Sequence, residues 1–419
     1  MQNNKLRMAI RATAAVAAFG MAGQALALDV PTGDWDTSIY GFARLNASYD
    51  IDEDIATSTQ AGDFSKINTG AAEDDEVTGH LGADAKQSRV GIKTVTPEGV
   101  KILVEGDFRG SGNSAGSLRL RQAYGEYKGV LAGRTWSNFN SFVGTTATLD
   151  FDGTAGNPGM QDREEQVRYT TGPFSVALED PRGSLSVVGS ASSKLVLDQE
   201  NSTIGSPVYK LDTTDASVGD ADSKKSLPAL TARFEDSNDM MAYSAAAVVK
   251  QLSYDTGTAD DSAIGFAAFA AAKFNVTDML SIQGAVNYSN GANSYVWRTG
   301  DNYYGTDGYV VDGDIETISS YSATIGTSLS LGNGSSVNVG YGMAKMDWDD
   351  AESDYANSPD QLAAVQAQTE TNQKIHVNYM MTPVKNVMLG VEYQYLKTEE
   401  VNGDDGDANR LMFAAQYNF

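Results

Sequence analysis

Arginine is scarce in this chain but not scattered: of the 12 beyond residue 27, eight fall between positions 44 and 168, at Arg44, Arg89, Arg109, Arg119, Arg121, Arg134, Arg163 and Arg168. A guanidinium is permanently charged and presents a planar fork of donors, so a group of them can bind or steer carboxylates and phosphates. An acidic stretch, Asp150, Asp152, Asp162 and Glu164, lies among the glycines Gly144, Gly153, Gly156 and Gly159. Opposed charges of this kind set up a field across a gap, which orients dipolar or anionic solutes. That chemistry is electrostatic sorting, not bond breaking. The two histidines, His80 and His376, stand in unrelated settings and no compact Ser/His/Asp grouping exists. The chain is therefore read as no enzyme, with no catalytic residues.

The elements that must hold these side chains are strands. The last ten residues, from Arg410 to Phe419, put Leu411, Phe413, Ala415, Tyr417 and Phe419 on one face and Met412, Ala414, Gln416 and Asn418 on the other. A greasy face backed by a small or polar one, closing on phenylalanine, suits an outer-membrane barrel strand. Sixteen period-two segments can be traced, near residues 38–50, 88–96, 101–109, 117–128, 130–138, 165–171, 174–180, 227–236, 240–254, 262–275, 279–289, 318–331, 335–347, 372–382, 387–398 and 409–419. Short connections such as Gly172-Pro173, Asp236 to Asp239 and Gly332 to Ser335 carry turn chemistry and alternate with long polar links at 51–87, 139–164, 181–226, 290–317 and 348–371. Short periplasmic turns and long outer loops define the expected fold: all-β, a 16-stranded antiparallel transmembrane β-barrel, whose long third loop would narrow the channel if folded inward. A soluble β-sandwich also has many strands, but it does not explain this alternation.

The amino-terminal residues agree with export. Lys5, Arg7 and Arg11 precede an apolar run from Ala12 to Ala22 and an Ala25-Leu26-Ala27 stop, the pattern of a secretory signal peptide over 1–27, leaving 28–419 as the barrel domain. Removing those three cations leaves 27 basic against 55 acidic residues, a net charge of −28, so nucleic acid is not an expected partner. There is no cysteine and no metal-ligand spacing, the acidic runs lacking an EF-hand's pattern, so no metal and no cofactor are expected.

Taking Ile39, Val90, Ile102, Leu118, Leu131 and Val167 as outward markers, alternation turns Arg44, Arg89, Lys93, Arg109, Arg119, Arg121, Arg134 and Arg168 into the lumen. A guanidinium facing lipid near the midplane costs about 2 to 4 kcal/mol, which favours the inward placement. Asp150, Asp152, Asp162 and Glu164 then belong to the third outer loop, where they would narrow the passage. A simpler alternative is that the arginines only pair with Glu105, Asp107, Glu126 and the loop acids. Strand one (Ile39, Gly41, Ala43, Leu45, Ala47) and strand five (Leu131, Gly133, Thr135) carry small outward residues, which predicts a protein-facing wall and a homotrimer.

Several strings, SRVGIKT (88–94), LRLRQAYGEY (118–127), LAGRTWSNF (131–139), TLDFDGTAG (148–156), EQVRYT (165–170) and LPALTARFE (227–235), are similar to the trimeric porins and, more narrowly, to the DcaP-like porin family of Gram-negative outer membranes. That resemblance implies a trimeric channel set in outer-membrane lipid and lipopolysaccharide, with loop three folded into the pore. It also implies passive uptake of small hydrophilic solutes, often anions such as dicarboxylates. On the matching positions, Arg119, Arg121, Arg134 and Arg168 with Asp150 and Asp152 would shape the constriction. Some members carry a heptad-rich extension before the barrel; here about ten residues separate the expected cleavage site from strand one, so no coiled-coil tether is expected. A general porin without preference, or one favouring cations because of the acidic exterior, is the alternative reading. A surface adhesin or receptor and a barrel enzyme are more remote ones.

Overall fold

The computed structural model describes residues 28–75, 77–111, 115–198 and 208–419; the expected signal peptide lies outside them. Sixteen antiparallel strands close into a barrel. They are β1 (Trp35–Asp50), β2 (His80–Asp84 continued by Arg89–Val95), β3 (Lys101–Gly110), β4 (Ser117–Tyr127), β5 (Val130–Trp136), β6 (Arg163–Thr171), β7 (Phe174–Glu179) and β8 (Ala229–Ser237), followed by β9 (Met241–Asp255), β10 (Asp260–Asn275), β11 (Leu280–Asn290), β12 (Ser319–Gly332), β13 (Ser335–Asp347), β14 (Thr369–Val384), β15 (Val387–Glu400) and β16 (Asp405–Asn418). Each strand pairs with its neighbour in sequence, and β16 returns to β1 from Phe42↔Asn418 to Asp50↔Arg410. Gly41 and Phe419 exchange backbone hydrogen bonds of 3.1 and 3.0 Å at the end of that seam. Closure leaves no strand edge, which a wall in lipid requires because no water is there to satisfy a free N–H or C=O.

Alternation along the strands separates two surfaces. On β12, Tyr321 and Ile325 are exposed on the outside while Ser320, Ser322 and Thr324 are buried within. The same holds for Ile375, Val377 and Tyr379 against Lys374, His376 and Asn378 on β14. No helix among the described residues is long and apolar enough to cross a membrane, so the crossing elements are strands.

Two strands depart from simple alternation. The second begins earlier than expected, because His80–Asp84 pairs with β1 at Asp50↔His80 before the chain resumes at Arg89. A β-bulge on β4 also places Arg121 between the pairs Glu105↔Gln122 and Gly106↔Leu120. One extra residue changes which alternate positions face inward. Leu118 and Leu120 point out before the bulge; after it, Tyr124 and Glu126 share the inner face with Leu103 and Lys101, and Ala123 and Gly125 take the outer one.

Candidate pore constriction

The long link after β5, residues 137–162, lies inside the barrel and is buried along most of its length. Near its start Phe139 packs edge-on against Phe269 of β10 and Tyr295, with ring centroids 5.2 and 6.0 Å apart. Asn287 of β11 donates to the carbonyls of Gly156 and Asn157 and accepts from the Gly159 N–H. Glycine is required where the strap touches the wall: Gly156 has φ +74°, and a Cβ there would stand 2.2 Å from the Ala323 carbonyl. Further along, Leu149 packs among Met380, Met388, Met412 and Ala414 of β14 to β16, and Arg44 of β1 donates to the Leu149 carbonyl at 2.7 Å.

Asp150 and Asp152 do not look across open space at the arginines. Asp150 is buried against Lys374 of β14 at 2.5 Å and also accepts from the Gly62 N–H at 3.0 Å. Burial alone would raise this carboxyl, but Lys374, Arg298 and Arg410 hold it below its ordinary range. Asp152 accepts from the Tyr303 hydroxyl and lies 3.6 Å from Arg109. Burial pushes its carboxyl up, with Arg109 and Arg298 pulling the other way. Between them Phe151 turns toward the wall, its ring 4.2 Å from the Arg109 guanidinium and 5.6 Å from that of Arg121. Asp162 and Glu164 are gripped by Arg182 at 2.9 and 2.6 Å. Burial would lower Arg182, but Tyr304, Asp162 and Glu164 together raise it.

The wall opposite carries the cations. On the inner face, Arg119 binds Asp107 through two hydrogen bonds of 3.0 and 2.7 Å, and Arg121 bridges Glu105 and Asp107 at 3.1 and 2.7 Å. Arg89 lies 3.6 Å from Glu105 and over the Phe42 ring, and Lys93, two inward positions nearer the periplasmic turn, is solvent-exposed with no ion pair among the described residues. Arg89, Arg109, Arg119 and Arg121 meet three carboxylates, Glu105, Asp107 and Asp152, which leaves one positive charge in excess. Arg168 also faces inward, beside the small residues of β7. Glu126 pairs with Lys101, not with an arginine.

Arg134 is the correction. It stands on the outer face with Val130 and Ala132, opposite Ala123 and Glu165, and pairs with Glu165 at 2.8 Å. Leu131, expected to mark the outward face, is 3% exposed and shares the inner face with its partners Glu126 and Arg168. Hydrophobicity misled because the inner surface here is also packed. The sequence reading also missed Lys374, Arg182 and Tyr303 as the groups that anchor the strap. Lys374 and His376 alternate with the outward Ile375 and Val377, so their inward direction was legible, but their distant partners were not.

A closed sixteen-stranded barrel with short turns on one side, long loops on the other and a strap drawn into its lumen is an outer-membrane porin. Residues 24–175 match the family model described as DcaP outer membrane protein. The chain is also similar to the outer membrane channel DcaP of Acinetobacter baumannii, at 27% identity and a TM-score of 0.72, over 94% of this chain and 99% of that one. OmpT of Vibrio cholerae (11% identity, TM-score 0.51, 94% and 100% covered) and an anion-selective porin from Comamonas acidovorans (12%, 0.50, 92% and 100%) share the fold alone. No curated protein sequence matches the chain.

Proposed function

We propose that this outer-membrane channel passes small hydrophilic solutes by passive diffusion and favours small anions, dicarboxylates among them. The observation that carries the reading is the asymmetry between Arg119 and Asp107, whose side chains are 38% and 0% exposed. The carboxylates of the ladder lie behind its guanidiniums, so a passing solute meets the cations first. Anions are drawn to such a wall and cations repelled, within roughly a Debye length of 8 Å at physiological salt. Arg44, Arg89, Lys93, Arg109, Arg119, Arg121 and Arg168 are the proposed lining, and the strap bearing Asp150 and Asp152 is the proposed constriction. The test is the reversal potential of the purified protein in a planar bilayer across a salt gradient. Cation preference there would instead favour the general-porin reading, which the acidic exterior supports.

The assembly proposed is a homotrimer. An ion pair on the outer wall, Arg134 with Glu165, is poorly placed in lipid but well placed against another protein. Its neighbours Ala123, Gly125 and Ala132 are small enough for a second wall to approach closely. Export through a signal peptide at 1–27, with 28–419 as the barrel domain, belongs to the same reading.

A further inference from the structure

We propose a second anion station in the lumen, formed by Arg168 of β6 and Arg233 of β8, that takes a small oxyanion group such as phosphate or carboxylate. This rests on the reading of the lumen as an anion path. The two arginines flank β7 on its inner face: Arg168 is in register with Ala177, and Ser175 is in register with Arg233. Ala177 and Ser175 are buried and small, so both long side chains lie over a low floor. Two strand spacings of about 4.8 Å each and an offset of two residues separate their backbones, a span that two arginine side chains can reach across.

Two carboxylates stand near enough to act on Arg168, Glu126 and Glu179, and both are otherwise engaged, Glu126 with Lys101 at 3.4 Å. Glu179 is 1% exposed and already accepts from the Ser137 hydroxyl at 2.7 Å, the Asn138 N–H at 2.6 Å and the Thr231 hydroxyl at 3.3 Å. Arg233 donates to the Asn140 carbonyl at the root of the strap. Arg168 makes no ion pair among the described residues, and its Nε is buried without an acceptor. Two neighbouring guanidiniums, one of them unpaired, repel until an anion bridges them. A bridging oxyanion accepts charge-assisted hydrogen bonds from both. Arg168 is four residues from the β6–β7 turn, whereas Arg119 lies near the opposite end of β4, so the stations succeed each other along the path.

The probe is inorganic phosphate, added to either side of the bilayer while single-channel current is recorded. Arg168→Gln with Arg233→Gln should weaken phosphate block from the turn side by about tenfold, a change of about 1.4 kcal/mol. In detergent, phosphate should raise the melting temperature of the native chain and not of the double variant. Arg233→Lys, which keeps the charge, serves if the double variant does not fold, and should retain part of the block. Unaltered block in these variants, or block abolished by Arg119→Ala alone, would overturn the station. Anion preference in plain potassium chloride without an Arg168 or Arg233 effect on phosphate removes the station only; absence of any anion preference removes the reading beneath it as well.

Discussion

Arg119 holds Asp107 in a two-pronged grip, Nε to one carboxylate oxygen at 3.0 Å and Nη2 to the other at 2.7 Å, and shares that carboxylate with Arg121 at 2.7 Å. The carboxylate therefore fixes two guanidiniums in place instead of cancelling them. Removing one member should change selectivity before it changes the fold. Arg119→Ala is expected to lower the anion-to-cation permeability ratio several-fold while leaving conductance near that of the native channel. Reversal potentials at two salt concentrations measure it, and an unchanged ratio would exclude Arg119 from the selective surface.

Asp107→Asn should be the more damaging substitution. It leaves Arg119 and Arg121 without a shared counter-charge, and breaking a buried pair from one side costs about 3 to 5 kcal/mol. The expected outcome is a clear drop in melting temperature in detergent, followed by circular dichroism, with Arg119→Ala much milder.

The tie between Asp150 and Lys374 predicts how acid acts on the strap. The Asp150 carboxyl is depressed in the folded chain, so its contribution is complete above the ordinary carboxylate pKa of about 3.9 and is lost as pH falls through the lower folded value. Current should stay quiet from neutral pH down to about pH 4 and become noisy below it as the strap loosens. Asp150→Asn should show that noise at neutral pH; a quiet variant would mean the strap is held by its other contacts.

Because Arg134 and Glu165 pair on the outer wall, cysteines at Ala132 and neighbouring small positions should cross-link between copies in native membranes. Cysteine at Val377, on the far side of the barrel, should not. Arg134→Leu, which suits lipid better than a protein contact, is expected to shift the protein toward monomer on native gels.

The barrel was legible because its signals are local. Period-two alternation and turn chemistry such as Gly172-Pro173 need only a few adjacent residues, and all sixteen strands lie close to their expected positions. The site was legible in kind but not in orientation. Arg119 and Arg121 could be assigned to the strap-facing wall, yet the bulge at Arg121 shifts the alternation of the rest of β4, and no residue type announces a bulge. The strap's acids were located, but their partners Lys374 and Arg109 lie far away in sequence on other strands, where periodicity does not reach. Arg134 shows the limit most directly: a charge on an outer wall is a poor choice for lipid, and only the register with Glu165 reveals what it faces.

The seat of Leu149 and Asp150 is built from Arg44 on the first strand together with Met412 and Ala414 on the last and Lys374 and Glu392 just before it. Until those ends of the chain are neighbours, that seat is incomplete. A barrel still open at the seam holds the strap through Asn287, Phe269 and Lys374 but lacks the part of its seat that Arg44, Met412 and Ala414 complete. The last strand therefore closes the wall and finishes the filter's footing at one and the same joint.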